Sequence, residues 1–281
     1  MFIMKWLVLK IRPFIERFPK IATMYRNFRD QMDYMDEPDL TPWGFKLAGN
    51  KLMSKGIFEP EETKLVSELL RDSDILVNVG ANVGYYCCHA LNMGKPIIAF
   101  EPIQRNFRYL LKNIKYNGWS DAEIFPLALS NSVGIIEIYG GDTGASLIKG
   151  WGGVCDNYMT LAPSSTMDIV LGTRLRGKKA LIIVDIEGAE RWMLEGASLM
   201  LANDPKPIWL MEIASMEHQP SGVEINPDFS KTFQLFFNNG YQAFYANQGM
   251  RPFTMEDVNL VTIGKLELNT NNFIFMNKNK D

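Results

Sequence analysis

The chain is poor in the residues that build metal and redox sites. Its 281 residues include two histidines, His89 and His218, and three cysteines, Cys87, Cys88 and Cys155. No C-x-x-C pair or Cys/His cluster occurs, so no structural zinc site is expected. Three cysteines, two of them adjacent, make no disulfide framework, and a reducing, cytoplasmic setting is the natural expectation. Long runs of one charge are also missing. The net charge is −3, and without a basic stretch nucleic acid is not an expected partner. Nor is there an apolar run of the ~20 residues that a membrane span requires. The apolar start, Met1 to Leu9, is interrupted by Lys5 and followed by Lys10, Arg12 and Pro13. It lacks the small-residue cleavage site of a signal peptide. It reads as an amphipathic helix with a basic face, packed on its own domain or on a dimer mate in preference to a membrane surface.

What is present suits an ordinary globular α/β protein. Hydrophobic residues make up 47% and charged residues 22%, enough for a large core. Residues 1–70 show no strand alternation and read as a helical N-terminal extension; residues 71–281 read as the main domain. Pro60-Glu61-Glu62 marks a helix start, with proline in the first turn and acids at its positive end. From Ile75 onward, strands and helices alternate. Strands are expected at 75–79, 97–100, 122–127, 180–184, 207–213, 241–246 and 272–276, and helices at 84–93, 104–117, 190–202 and 230–239. Val133 to Tyr139 reads as part of a hairpin. Residues 140–153 hold glycine at 140, 141, 144, 150, 152 and 153, and a loop of this length is either a flexible insertion or a functional lid. This order predicts a doubly wound sheet with ligands at the carboxyl ends of its strands.

The most informative stretch runs from Asp74 to Gly84 and reads D-I-L-V-N-V-G-A-N-V-G. It is a buried strand, a glycine turn and a helix start. Gly80 lets the chain bend and lets a ligand approach the backbone. Gly84 permits close packing of the next helix. A second strand ends in Phe100-Glu101-Pro102, and Glu101 lies 21 residues beyond Gly80, near the spacing at which an acid reaches a ribose hydroxyl. The middle glycine of the dinucleotide fingerprint is absent, because Asn82 occupies its place. The turn therefore suits a ligand with an adenosine and a carboxylate but no pyrophosphate, such as S-adenosylmethionine.

Taken together, Val79 to Gly84, Phe100 to Pro102, Leu127-Ala-Leu-Ser130 with Gly134, Thr166-Met-Asp168 and Val184-Asp-Ile-Glu-Gly-Ala-Glu190 through Gly196-Ala197 resemble the FkbM family of S-adenosylmethionine-dependent methyltransferases. The resemblance covers roughly residues 56–276. It implies a class I methyltransferase fold, with a seven-stranded sheet whose last strand is antiparallel, and methyl transfer to an oxygen of a saccharide, glycan precursor or small metabolite. Family members usually carry Asp where this chain has Asn78, and often Lys where it has Ile183. The expected cofactor contacts are Asn78, Gly80, Asn82 and Gly84 at the methionine end, Glu101 at the ribose, and Leu129, Ser130 and Asn131 near the adenine.

Asp185 and Glu187 stand two apart at the mouth of a strand, so their side chains are expected to point the same way. One would act as general base or hold the acceptor hydroxyl; a divalent cation shared with Glu212, or a purely structural role at the next helix start, are the alternatives. His218, in the loop after Glu212, is a candidate proton acceptor near neutral pH. His89, Cys87 and Cys88 read as packing residues in a helix. Methyl transfer needs no nucleophile–base pair, since the sulfonium is already activated and the task is alignment. Two other functions fit less well: a non-catalytic module that kept the fold, and an NAD-dependent oxidoreductase.

Overall fold

The computed structural model describes residues 37–141, 143–246 and 249–277, together with Ile21, Met24 and Tyr34. The expectations for residues 1–20 lie outside the described residues.

Ahead of the main sheet, β1 (Asp39–Leu40) and β2 (Lys46–Leu47) form a short antiparallel hairpin, followed by α1 (Lys51–Ser54) and α2 (Pro60–Arg71). The hairpin was not expected from the sequence, since two-residue strands are too short to show alternation. Two asparagines pin this segment to α4 (Gln104–Tyr116). Asn113 accepts from the Ala48 N–H and donates to its carbonyl, and Asn117 does the same for Lys46. Trp43 and Phe45 cover His89, with ring centroids 4.4 and 5.0 Å away.

The remaining elements follow in the order β3 (Ile75–Val79), α3 (Tyr85–Asn92), β4 (Ile97–Phe100), α4, β5 (Ala122–Phe125), β6 (Ala128–Leu129), β7 (Gly134–Tyr139), β8 (Met159–Ser165), α5 (Met167–Leu171), β9 (Ala180–Val184), α6 (Glu190–Glu195), α7 (Ser198–Leu201), β10 (Ile208–Glu212), α8 (Phe229–Asn238), β11 (Tyr241–Tyr245), β12 (Pro252–Phe253), α9 (Met255–Thr262) and β13 (Asn272–Asn277). The central sheet has the order β12-β11-β13-β10-β9-β3-β4-β5, and β13 runs antiparallel to both of its neighbours. Seven of these strands match the expected arrangement; β12 is a two-residue addition at one edge. The strand expected over 122–127 stops at Phe125, and residues 128–129 join a separate three-stranded sheet with β7 and β8.

The sheet is covered on both faces, which explains why β3 and β9 are buried along their whole length. One face packs on α8, whose apolar stripe Phe229, Phe233 and Phe236 recurs at helical spacing. Phe236 stacks on Phe275 of β13 with ring centroids 3.8 Å apart. The other face packs on α2 and α3. The helix expected over 190–202 is broken at Gly196, which caps α6 and where a Cβ would lie 2.3 Å from the Ser130 carbonyl oxygen, so the close approach requires glycine. Asp168, part of the family motif, accepts from the Leu199 N–H at 3.0 Å and so ties α5 to α7.

Phe233 is fully buried and meets Phe229, Phe253, Phe273 and Phe275. Replacement by alanine is expected to cost about 3–5 kcal/mol, measured by urea unfolding; a loss below about 1 kcal/mol would show that this face repacks freely.

Candidate active site

The carboxyl ends of β3, β4 and β9 open into a cleft of about 600 Å³, its open mouth included. Its floor is the glycine turn. Gly80 has φ +80°, and a Cβ there would lie 1.9 Å from the Asp185 carbonyl oxygen. The N–H groups of Gly80 and Ala81 both donate to the Phe100 carbonyl, at 3.0 and 2.9 Å. The chain then turns through Asn82, itself left-handed at φ +51°, a conformation asparagine tolerates better than most residues.

That turn aims the Asn82 N–H at Glu101, whose Oε2 accepts it at 2.7 Å, while Oε1 accepts the Ile103 N–H at 2.8 Å. Asn106 adds a side-chain hydrogen bond. Burial nevertheless pushes the Glu101 carboxyl up to about 7, with those hydrogen bonds working the other way. Of about four lone-pair sites on the carboxylate, these contacts take three, which leaves one to accept a hydroxyl. Beside Glu101, Pro102, Ile103, Leu127, Ala128 and Leu129 form an apolar wall.

Of the residues singled out from sequence, Gly80, Asn82, Glu101, Leu129, Asp185 and Glu187 line the cleft together. Asn78, Gly84, Ser130, Asn131 and His218 do not. Asn78 is on the opposite face of the sheet, with Nδ2 3.5 Å from Cys87 Sγ. Its register partner on β9 is Ile183, so the two departures from the family pattern are neighbours. Gly84 caps α3, where a Cβ would lie 2.4 Å from a Leu110 methyl. The Ser130 N–H donates to the Ser165 carbonyl, and Asn131 donates to Glu195. His218 lies behind Trp151, with ring centroids 6.1 Å apart.

Asp185 and Glu187 do share the cleft, but not by strand alternation. The strand ends at Val184, and Glu187 is in the left-handed region at φ +54°. Two contacts hold it there: Ser146 Oγ donates to the Glu187 carbonyl at 2.5 Å, and the Trp151 indole N–H donates to Oε2 at 2.7 Å. Both come from the glycine-rich loop, which also lines the cleft with Thr143, Ala145 and Leu147. The loop's length and glycine content were the only sequence signals for these residues.

Acids crowd this end of the molecule. Asp185 faces the open cleft. Protein atoms hem it in on its other sides, and this burial, with the Glu212 and Glu187 carboxylates, holds its carboxyl above the ordinary range. Burial and the Glu187 and Glu59 carboxylates push Glu212 up to about 7, and it shares a hydrogen bond with Asp185, which requires a proton between the two groups. Glu62, pushed up to about 8 by burial and then by Glu59, accepts from Asn272 at 2.7 Å. Burial pushes Glu190 to about 8, though its Oε1 accepts the Gly188 N–H. Burial also raises Glu187, while the Trp151 hydrogen bond and His218 lower it.

This geometry fits the expected cofactor: a turn with no room for a Cβ, a buried carboxylate, an apolar wall, and a cluster of acids that favours a cationic ligand. Fold and site thus define a class I S-adenosylmethionine-dependent methyltransferase. The family model described as the methyltransferase FkbM domain matches residues 78–243, and the chain belongs to that family. Membership decides against both the NAD-dependent oxidoreductase and the non-catalytic module. Similar solved structures include a precorrin-6y C5,15-methyltransferase from Geobacter metallireducens (12% identity, 70% of this chain and 78% of that one, TM-score 0.39). A TehB-like methyltransferase from Corynebacterium glutamicum is 11% identical over 81% of this chain and 92% of that one, with TM-score 0.39. WbdD is 13% identical over 82% of this chain, TM-score 0.41, and only 42% of its own length is spanned. Among curated proteins, none matches this chain. No helix among the described residues is long and apolar enough to cross a membrane.

The raised carboxyls fix a direction for stability. Glu62, Glu101, Glu190 and Glu212 titrate near 7–8 in the folded chain against an ordinary 4.5. Between those values the folded state holds more protons than the unfolded one, so stability falls as pH rises. The chain is expected to melt at a higher temperature at about pH 5.5 than at about pH 8; calorimetry showing the reverse order would rule out protonated acids in the fold.

Proposed function

We propose that the chain transfers the methyl group of S-adenosylmethionine to a hydroxyl oxygen of a saccharide, glycan precursor or small metabolite. The observation that carries this reading is that Glu101 and the pair Asp185 and Glu187 line one cleft at neighbouring strand ends. In it, Glu101 would accept a ribose hydroxyl, the apolar wall would hold the adenine, and the Gly80 turn would face the methionine end. The cofactor supplies an activated methyl group, and the protein's part is to place an oxygen in line with it.

Of the two acids, Glu187 is the better proton acceptor. The Trp151 N–H and His218 favour its ionised form, whereas Asp185 is surrounded by acids and shares a proton with Glu212. Glu187 takes the proton that the acceptor hydroxyl loses, and Asp185 orients that hydroxyl. His218 stands behind Trp151, outside the cleft lining, and is not placed to touch the acceptor.

Two measurements test the cofactor end. Glu101→Ala removes a hydrogen bond to a carboxylate worth about 1.5–3 kcal/mol, so S-adenosylhomocysteine affinity is expected to drop by roughly ten- to a hundredfold in calorimetric titration. Unchanged affinity would remove the ribose assignment. Because burial pushes the Glu101 carboxyl up to about 7 and its ionised form is the better acceptor for a hydroxyl, affinity is expected to be up to about tenfold weaker at pH 6 than at pH 8. A flat profile would place the ribose elsewhere.

A further inference from the structure

Glu187 is strained, and what holds it is not its own strand. Its left-handed backbone is a conformation that L side chains other than asparagine and aspartate rarely keep unless the surroundings impose it. Both hydrogen bonds that impose it, from Ser146 Oγ to the carbonyl and from the Trp151 indole to Oε2, start in the segment 143–153. Trp151 is itself locked. It is 3% exposed, and it lies so close over Gly188 that a Cβ there would come within 2.5 Å of the indole. On its far side the Gly152 N–H donates to the His218 carbonyl at 2.7 Å. Three segments, 143–153, 185–190 and 214–222, therefore meet at one indole ring.

We propose that Trp151 is a positioning residue for methyl transfer: seated from a lid formed by residues 143–153, its indole N–H holds the Glu187 carboxylate at the cleft wall. The proposal rests on the reading of Glu187 as the group that meets the acceptor. The same seat brings Thr143, Ala145 and Leu147 against the cofactor cleft, so lid closure and Glu187 alignment are one state. Opening the lid releases both the cofactor and the strained turn. The charged and titratable groups facing Glu187 are Asp185 and Glu190 on its own segment, Glu212 at the end of β10 and His218 in the following loop. Of the groups that favour its ionised form, the indole is the one in direct hydrogen-bond contact.

The test uses the full chain with S-adenosylhomocysteine as probe. Trp151→Phe keeps a ring over Gly188 and removes the donor. Two readouts are taken: the dissociation rate of the probe by stopped-flow competition, and the titration midpoint of the Glu187 carboxyl by carbon-13 NMR, assigned with Glu187→Gln. The expected results are dissociation several-fold faster and a midpoint raised by roughly one pH unit, because a hydrogen bond to the charged form is lost. Ser146→Ala, which cuts the other tether, should also speed dissociation, and it carries the test if Trp151→Phe fails to fold. Glu68→Ala, at an exposed position on α2 away from the loop, should leave both readouts unchanged. Unaltered midpoint and rate in Trp151→Phe, or an unaltered rate in Ser146→Ala if only that variant folds, would overturn the proposal. Failure of the underlying reading looks different: Glu187→Gln would then transfer methyl groups at the native rate while the Trp151→Phe shifts persist.

Discussion

The close approach of β3 and β9 at their carboxyl ends governs the rest of the site. The Asp185 carbonyl oxygen occupies the space that a side chain at position 80 would need, so this crossing is closed to any residue but glycine. Because the strands come this near, the chain leaving β3 folds sharply over the end of β4 and binds the Phe100 carbonyl. That fold presents the Asn82 N–H to Glu101 and fixes the carboxylate in the cleft. The same crossing places Asp185, Ile186 and Glu187 along the opposite wall. A side chain at position 80 would force the strands apart and separate the two halves of the site.

A second constraint is electrostatic. Glu59, Glu62, Asp185, Glu187 and Glu212 act on one another as like charges, and the nearest basic influence recorded on any of them is His218 on Glu187. Arg191, next in sequence to Glu190, turns outward to Asp228 and Glu195. Such a cluster persists because several of its members hold protons near neutrality, which spares the fold their mutual repulsion. Binding a cationic sulfonium and ammonium among them would lower that cost further. The replacement of the usual Asp and Lys by Asn78 and Ile183 belongs to the same picture. The two positions are register partners, and neither carries a charge at this buried place in the sheet.

Much of this was legible in the sequence, and the reasons differ by residue. Gly80 and Glu101 announced themselves because a strand, a turn and a second strand-end acid occur within a single local unit, where spacing along the chain translates directly into spacing in space. The buried strands Ile75–Val79 and Ala180–Val184 were equally plain, since a strand covered on both faces must be apolar throughout. Asn78 was misplaced for a simple geometric reason: alternation puts it on the face opposite Val77 and Val79, away from the cleft.

Local pattern therefore determined the class of fold, the glycine turn and the strand-end acid Glu101, because each depends on contacts between residues close along the chain or on periodicity. Tertiary structure alone decided how Glu187 is held. Trp151 lies 36 residues and Ser146 41 residues before it in the chain, in a glycine-rich segment with no periodicity to read. Their contact with Glu187 exists only because the β7–β8 connection folds back across the end of β9, and no local propensity encodes that return.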